Sequence, residues 1–278
     1  MYPVITPLLK WAGGKRQLRN ELLERLPGAW NTYYEPFIGG GAFLVALKNS
    51  NLLTRAVIGD LNPELINLYS VVKRSPKSLF AELEQEKFHN SEPAFRQLKD
   101  EFNALIGTKK RPVARAALFL YLNKHGYNGL WRVNRKGQYN VPFGRYAKLN
   151  LPSLQVLMRF SQMLGEVSLH HADFEEVVKR AKKGDFVYFD PPYHPCSKTA
   201  KFTDYTTEGF GFPDQERLAR TFASLSDKGV FLMLSNSKMP EIEELYAGYT
   251  VKNVLAKRFI NCDGMKRTGT AEIIVTNY

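Results

Sequence analysis

Residues 186–190 read Phe-Val-Tyr-Phe-Asp and run straight into Pro191-Pro192-Tyr193. Four apolar residues in a row suit a buried strand. Proline has no amide to give a neighbouring strand, so the run ends at Asp190, with a carboxylate at the mouth of a sheet. The rest of the chain must supply the sheet that this strand joins.

It does so in two blocks. Residues 33–37 end in Gly39-Gly40-Gly41 and precede AFLVALKNS, which predicts a strand, a tight turn and a helix. Residues 55–60 predict a second strand, with a helix from Pro63 capped by Asn62. Strands are expected again at 167–171, 186–190, 230–235, 250–255 and 271–276, with helices from Phe174, Pro213 and Pro240. Between the blocks, residues 76–125 have helical spacing, and 130–141 read as a β-hairpin around Arg135-Lys136-Gly137. This alternation is an α/β pattern, with a first part at 1–72 and a second at 151–278, split by an inserted helical and hairpin module at 73–150. No internal repeat or low-complexity tract interrupts it.

The chain carries a formal charge of +12, and its distribution is uneven. The 64 residues between Glu101 and Glu166 contain no Asp or Glu, where the average acid content would put about 6. They hold eleven cations: Lys109, Lys110, Arg111, Arg115, Lys124, Arg132, Arg135, Lys136, Arg145, Lys148 and Arg159. Tyr121, Tyr127, Trp131, Tyr139, Phe143 and Tyr146 lie among them, and basic residues interleaved with aromatics suit phosphate contact and base stacking. The segment is therefore read as a nucleic-acid surface, against the alternative of a solvated basic face.

Cys196 and Cys262 are too few for a disulfide framework and lack zinc spacing, and five scattered histidines suggest no metal. The opening MYPVITPLLKW has no basic leader followed by an apolar stretch, and no run is long and apolar enough to span a membrane. A cytoplasmic protein without a membrane partner is expected.

The glycine turn departs from Gly-x-Gly-x-x-Gly, and Glu35 at the strand end would repel a pyrophosphate. A cationic, hydroxyl-rich ligand such as S-adenosylmethionine suits it better, with Asp60 placed to accept ribose hydroxyls. A turn that only packs is the competing reading. At the Asp190 corner, the carboxylate and a carbonyl can grip both hydrogens of an exocyclic amine and favour a pyramidal, nucleophilic nitrogen. Tyr193 offers a ring face to the base.

Four motifs in order carry a resemblance. They are Lys10-Trp11-Ala12-Gly13-Gly14-Lys15, Glu35-Pro36-Phe37-Ile38-Gly39-Gly40-Gly41, the pair Asn128-Gly129-Leu130-Trp131-Arg132 and Val141-Pro142-Phe143-Gly144-Arg145-Tyr146, and Asp190-Pro191-Pro192-Tyr193. Together they resemble the Dam family of DNA adenine N6-methyltransferases over nearly the whole chain. The resemblance implies a Rossmann-like fold, S-adenosylmethionine as methyl donor, and a double-stranded DNA target, usually GATC. It implies cofactor contacts at Trp11, Lys15, Glu35, Phe37, Gly39, Asp60, Asp173, Phe174 and Asp190, and a catalytic corner at Asp190, Pro191, Pro192 and Tyr193. DNA contacts are implied at Lys10, Tyr127, Asn128, Leu130, Arg132 and Arg145.

The target adenine must leave its stack, at a cost of a few kcal/mol. Tyr127 or Leu130 would fill the gap or wedge the neighbouring pair, and Arg132 would read guanine O6 and N7. Leu130 as hairpin core and Tyr127 as a packed ring are the alternatives. Cytosine N4, an RNA or a protein amide as acceptor, and a non-catalytic DNA-binding module, stay open at this point. So does the biological setting, whether a companion restriction endonuclease, repair and replication, or a phage.

Overall fold

The computed structural model describes residues 4–11, 13, 18–148, 150–193, 210–256 and 270–278. Lys15, His194, Cys196 and Cys262 lie outside them.

The described residues form β1 (Tyr33–Glu35), β2 (Ala56–Asp60), β3 (Val167–His171), β4 (Phe186–Phe189), β5 (Phe231–Ser237), β6 (Thr250–Ala256) and β7 (Thr270–Thr276), joined in one sheet of order β3-β2-β1-β4-β5-β7-β6. The five strands from β3 to β5 run parallel, and β7 pairs antiparallel with both β5 and β6. This is the Rossmann-like α/β sheet that the alternating pattern and the resemblance predict. The order reverses between β1 and β4, the topological switch point at which α/β sheets open a crevice beyond their strand ends.

Side-chain period explains the apolar runs. Tyr33, Phe186, Tyr188, Met233 and Ile274 enter a core on one face, and Tyr34, Val187, Phe189, Leu232, Leu234, Ile273 and Val275 a second core on the other. A strand covered on both faces has no solvent side, so it need not alternate with polar residues.

The helices are α1 (Arg19–Leu23), α2 (Ala42–Asn49), α3 (Pro63–Arg74), α4 (Pro76–Leu83), α5 (Glu92–Leu105), α6 (Pro112–His125), α7 (Leu154–Met163), α8 (Phe174–Val178), α9 (Phe212–Asp227) and α10 (Pro240–Leu245). Asn62 caps α3 as expected, accepting from the Glu64 and Leu65 amides. Helices α1 and α7 go beyond the sequence reading. For α7 the signal was present: the Ser153 hydroxyl caps it, and Leu157, Phe160 and Met163 repeat at helical spacing on its buried side.

The hairpin at 130–141 is reduced to a Val133–Tyr139 bridge, followed by a separate Gly126–Phe143 bridge. The Asn134 amide still donates to the Gln138 carbonyl and the Asn140 amide to the Arg132 carbonyl, and two side-chain amides add to these backbone bonds. Asn134 Oδ1 accepts from the Lys136 and Gln138 amides, while Asn103 of α5 both donates to the Tyr139 carbonyl and accepts from its amide.

One expectation is corrected here. Tyr121, Trp131 and Tyr139 are not surface rings for bases but buried members of the first core, together with Phe102 and Phe119. Phe143 is half-buried against Phe95, with ring centroids 5.4 Å apart. Helices and an irregular hairpin have no sheet of their own to bury, so their aromatic rings are spent on filling the interior.

Candidate active site and nucleic-acid interface

The parallel pairing of β1 with β4 brings Glu35 and Asp190 together beyond the strand ends. Glu35 is buried and accepts a 2.7 Å hydrogen bond from the Tyr33 hydroxyl. Burial holds its carboxyl well above the usual carboxylate range, and the Asp190 charge adds to the shift. Asp190 accepts from Ser235 Oγ at 3.0 Å, and the same Oγ lies 2.8 Å from the Tyr188 hydroxyl. Next along the turn, the Pro192 carbonyl accepts from Gln215 Nε2 at 3.1 Å. The Tyr193 hydroxyl donates to Glu272 Oε2 at 2.6 Å. Burial and the acidic groups Asp190 and Glu272 push the Tyr193 phenol well up, so it stays a donor.

The glycine turn has two uses. Gly39 and Gly41 take positive φ, +46° and +67°, which side chains rarely adopt. Above the turn sits Trp11: a Cβ on Gly39 or Gly40 would lie 2.8 Å or 2.9 Å from its side chain. Part of the bareness therefore makes room for the indole. The Gly39 amide donates to Asp60 Oδ2 at 3.1 Å and the Asn62 amide to Asp60 Oδ1 at 2.9 Å. Burial raises the Asp60 carboxyl to about 6 in spite of those bonds. Phe37 packs on Phe174 and Phe210, with centroids at 5.4 Å and 5.7 Å. Asp173 caps α8 through the Glu175 amide and meets the Arg217 guanidinium with both oxygens, at 2.9 Å and 3.0 Å, and that guanidinium lies 4.4 Å from the centre of the Phe174 ring.

On the basic side, Lys10, Tyr127, Asn128, Arg132 and Arg145 are exposed, whereas Leu130 is half-buried and packs against the core. Tyr127 is the one large aromatic among the exposed apolar residues of this segment, at 51%. Arg132 is braced by Asn140, through Nε at 2.7 Å and Nη2 at 3.1 Å. Lys10 is held by its main chain: Asn123 Oδ1 accepts from the Lys10 amide, and Asn123 Nδ2 donates to the carbonyls of Lys10 and Gly129. Lys10 Nζ lies 4.0 Å from the centre of the Tyr146 ring, whose hydroxyl accepts from the Asn128 amide. Lys10, Lys124, Tyr146, Ala147, Lys148 and Asn150 line a concavity of about 450 Å³. Three cations of the acid-free window meet acids from outside it: Arg111 with Glu101, Arg145 with Glu92, and the buried Arg115 with Glu64 at 2.9 Å.

The description "D12 class N6 adenine-specific DNA methyltransferase" matches residues 11–260. The chain belongs to this family. It is a DNA adenine N6-methyltransferase, with DNA as the substrate class that the family name carries. Similar relatives include the type II methyltransferase M1.LlaDCHI of Lactococcus lactis subsp. cremoris, 42% identical over 99% of this chain and 96% of that protein. The type II methyltransferase M.MjaIII of Methanocaldococcus jannaschii is 41% identical over 99% of both chains. A DNA adenine methylase of Serratia marcescens is 37% identical over 96% of both.

In this methyltransferase the fold gathers Glu35, Phe37, Gly39, Asp60 and Asp190 at the strand ends, and joins Lys10 to the turn at Asn128 and Gly129. Arg132 and Arg145 each have their own partner, Asn140 and Glu92. Sequence reasoning missed Ser235, Gln215, Asn236 and Glu272, which hold the corner, and Asn123 and Asn140, which hold the basic side. A Ser-Asn-Ser run at the end of the apolar strand β5 was a legible anomaly, because buried polar residues need partners. Among the described residues, no group of three or more His, Cys, Asp or Glu is placed to hold a metal, and no helix is long and apolar enough to cross a membrane.

Proposed function

We propose that this methyltransferase transfers the methyl group of S-adenosylmethionine to N6 of an adenine turned out of duplex DNA, within the sequence GATC. The observation that carries the reading is the pairing of β1 with β4, which puts the Glu35 and Asp190 carboxyls within electrostatic reach of each other at the switch point of the sheet.

The residues present fit such a donor. Asp60 supplies acceptors for ribose hydroxyls, Glu35 and Asp190 suit cationic groups, and Phe37 with Phe174 offers an apolar wall for a ring. Trp11, Gly39 and Asp173 flank them, and Lys15, outside the described residues, is assigned to the set by the resemblance alone. When bound, S-adenosylmethionine supplies an electrophilic methyl on a sulfonium.

The chain itself prepares the nucleophile. The Asp190 carboxylate and the Pro191 carbonyl accept the two amine hydrogens and draw the nitrogen lone pair out of conjugation. Tyr193, fixed by Glu272, gives the base a ring to lie against. No separate base is required, because the nitrogen becomes acidic once it is alkylated.

Outside the pocket, Tyr127 is the exposed ring suited to fill the place that the base leaves. Leu130, half-buried against the core, is the second candidate wedge. Arg132 reads guanine, and Lys10, Asn128 and Arg145 contact the site. The segment at 73–150 then serves as the target-recognition domain, inserted between the catalytic parts at 1–72 and 151–278. The words "type II" in the names of two relatives support a companion restriction endonuclease, which the neighbouring genes would identify.

The test is incubation of plasmid with labelled S-adenosylmethionine, followed by digestion with an endonuclease blocked by adenine methylation in GATC. Label in DNA together with protection is the expected result. No label overturns the donor assignment, and label without protection overturns GATC.

A further inference from the structure

We infer that Gln215 is a positioning residue, which aims the Asp190–Tyr193 corner by holding the carbonyl of Pro192. The inference rests on the reading of that corner as the amine site.

Gln215 sits in the first turn of α9 and is fully buried. Its Nε2 donates to the Pro192 carbonyl at 3.1 Å, and its Oε1 accepts from Asn236 Nδ2 at 2.9 Å. Asn236 is also fully buried, on β5, and its Oδ1 accepts from the Ser237 amide at 2.8 Å. Helix α9 has no need of an amide at this point. Leu218, Phe222 and Leu225 on the same helix fill the second core, and a buried amide costs stability unless both of its ends are bonded. Here both are, and one bond ends on the corner's backbone.

That bond acts on the one torsion that needs it. The rings of Pro191 and Pro192 fix φ at both positions, and the proline that follows Pro191 confines its ψ to the extended region. Rotation about ψ of Pro192 is the remaining soft motion, and a donor on the Pro192 carbonyl arrests it. Ser235 and Glu272 hold the side chains of Asp190 and Tyr193, so all three attachments together fix direction as well as place. A loose corner would still bind DNA and donor but would align the amine less often.

Gln215→Glu tests this, because shape is kept and Asn236 keeps its acceptor. The introduced carboxyl donates to the Pro192 carbonyl only when it is protonated. Asp190, Tyr193 and Glu272 face the position from the corner and from β7, and Asp214 and Arg217 from its own helix, so variant rates are divided by wild-type rates at each pH. In single-turnover methyl transfer, the ratio is expected to be near one at about pH 6 and to fall about tenfold or more by about pH 9. KM for DNA should stay unchanged. Gln215→Leu, which lacks the donor at every pH, should lower kcat about tenfold or more with no pH trend in the ratio.

A flat ratio for Gln215→Glu, or a loss that follows the melting temperature of both variants, overturns the positioning role. Wild-type protein that places no methyl group in DNA overturns the reading of the corner instead.

Discussion

The corner at Asp190–Tyr193 and the basic turn at Tyr127–Arg132 lie in one molecule but are built in opposite ways. The corner is tied by residues from α9, β5 and β7, and most of those partners are fully buried. The basic turn presents Tyr127, Asn128 and Arg132 to solvent while Gly129 and Trp131 are buried under it; Asn128 and Gly129 take positive φ, and Asn123 and Tyr146 hold it from beneath. A reacting amine has to be aimed to within fractions of an ångström, which takes hydrogen bonds in a site closed to water. Side chains that meet a long polyanion need reach and charge, and burial would remove both. The difference teaches where rigidity is spent.

If the two regions are independent, each can be damaged alone. Asp190→Ala should lower methyl transfer about a thousandfold, with DNA affinity nearly unchanged; parallel loss in a binding titration would show that the regions are not separable. Glu64→Gln strands the buried Arg115 and loosens α6, the helix that carries Asn123, from α3. It should cost about 3 kcal/mol in urea unfolding, and a cost near zero would mean that α6 is anchored by its apolar packing alone.

Arg132→Ala should remove about 1–3 kcal/mol of discrimination at one base of the target, while affinity for unrelated DNA changes little. Equal loss on all sequences would make it a phosphate contact. The smallest effect concerns Asp60. With its carboxyl raised to about 6, the acceptor form is depleted as pH falls below that value. Affinity for S-adenosylhomocysteine should therefore decline below about pH 6, by up to about tenfold per unit, and Asp60→Asn should abolish the slope. A slope that survives in Asp60→Asn would assign the titration to Glu35.

Much of the sheet was legible, and for a local reason. The stop at Asp190 is set by two prolines, the Asn62 cap by its own side chain, and the strands by short apolar runs. The basic window was less reliable as a map of surface charge. Arg111, Arg115 and Arg145 are paired with Glu101, Glu64 and Glu92, which lie outside the window in sequence and against it in space, though only the Arg115 pair is buried. Its aromatic residues misled in the same way, since Tyr121 and Trp131 are interior while Tyr127 alone keeps a large exposed ring.

The order of strands and turns along the chain, the acidic strand ends, and the glycine and proline corners were all readable locally, because each depends on φ, ψ and amide supply within a few residues. The tertiary structure decided which strand ends became neighbours, and it brought Gln215, Ser235 and Glu272 onto the corner. Those partners are paired by sheet order and helix packing, and no local preference of the chain encodes contacts between residues so far apart.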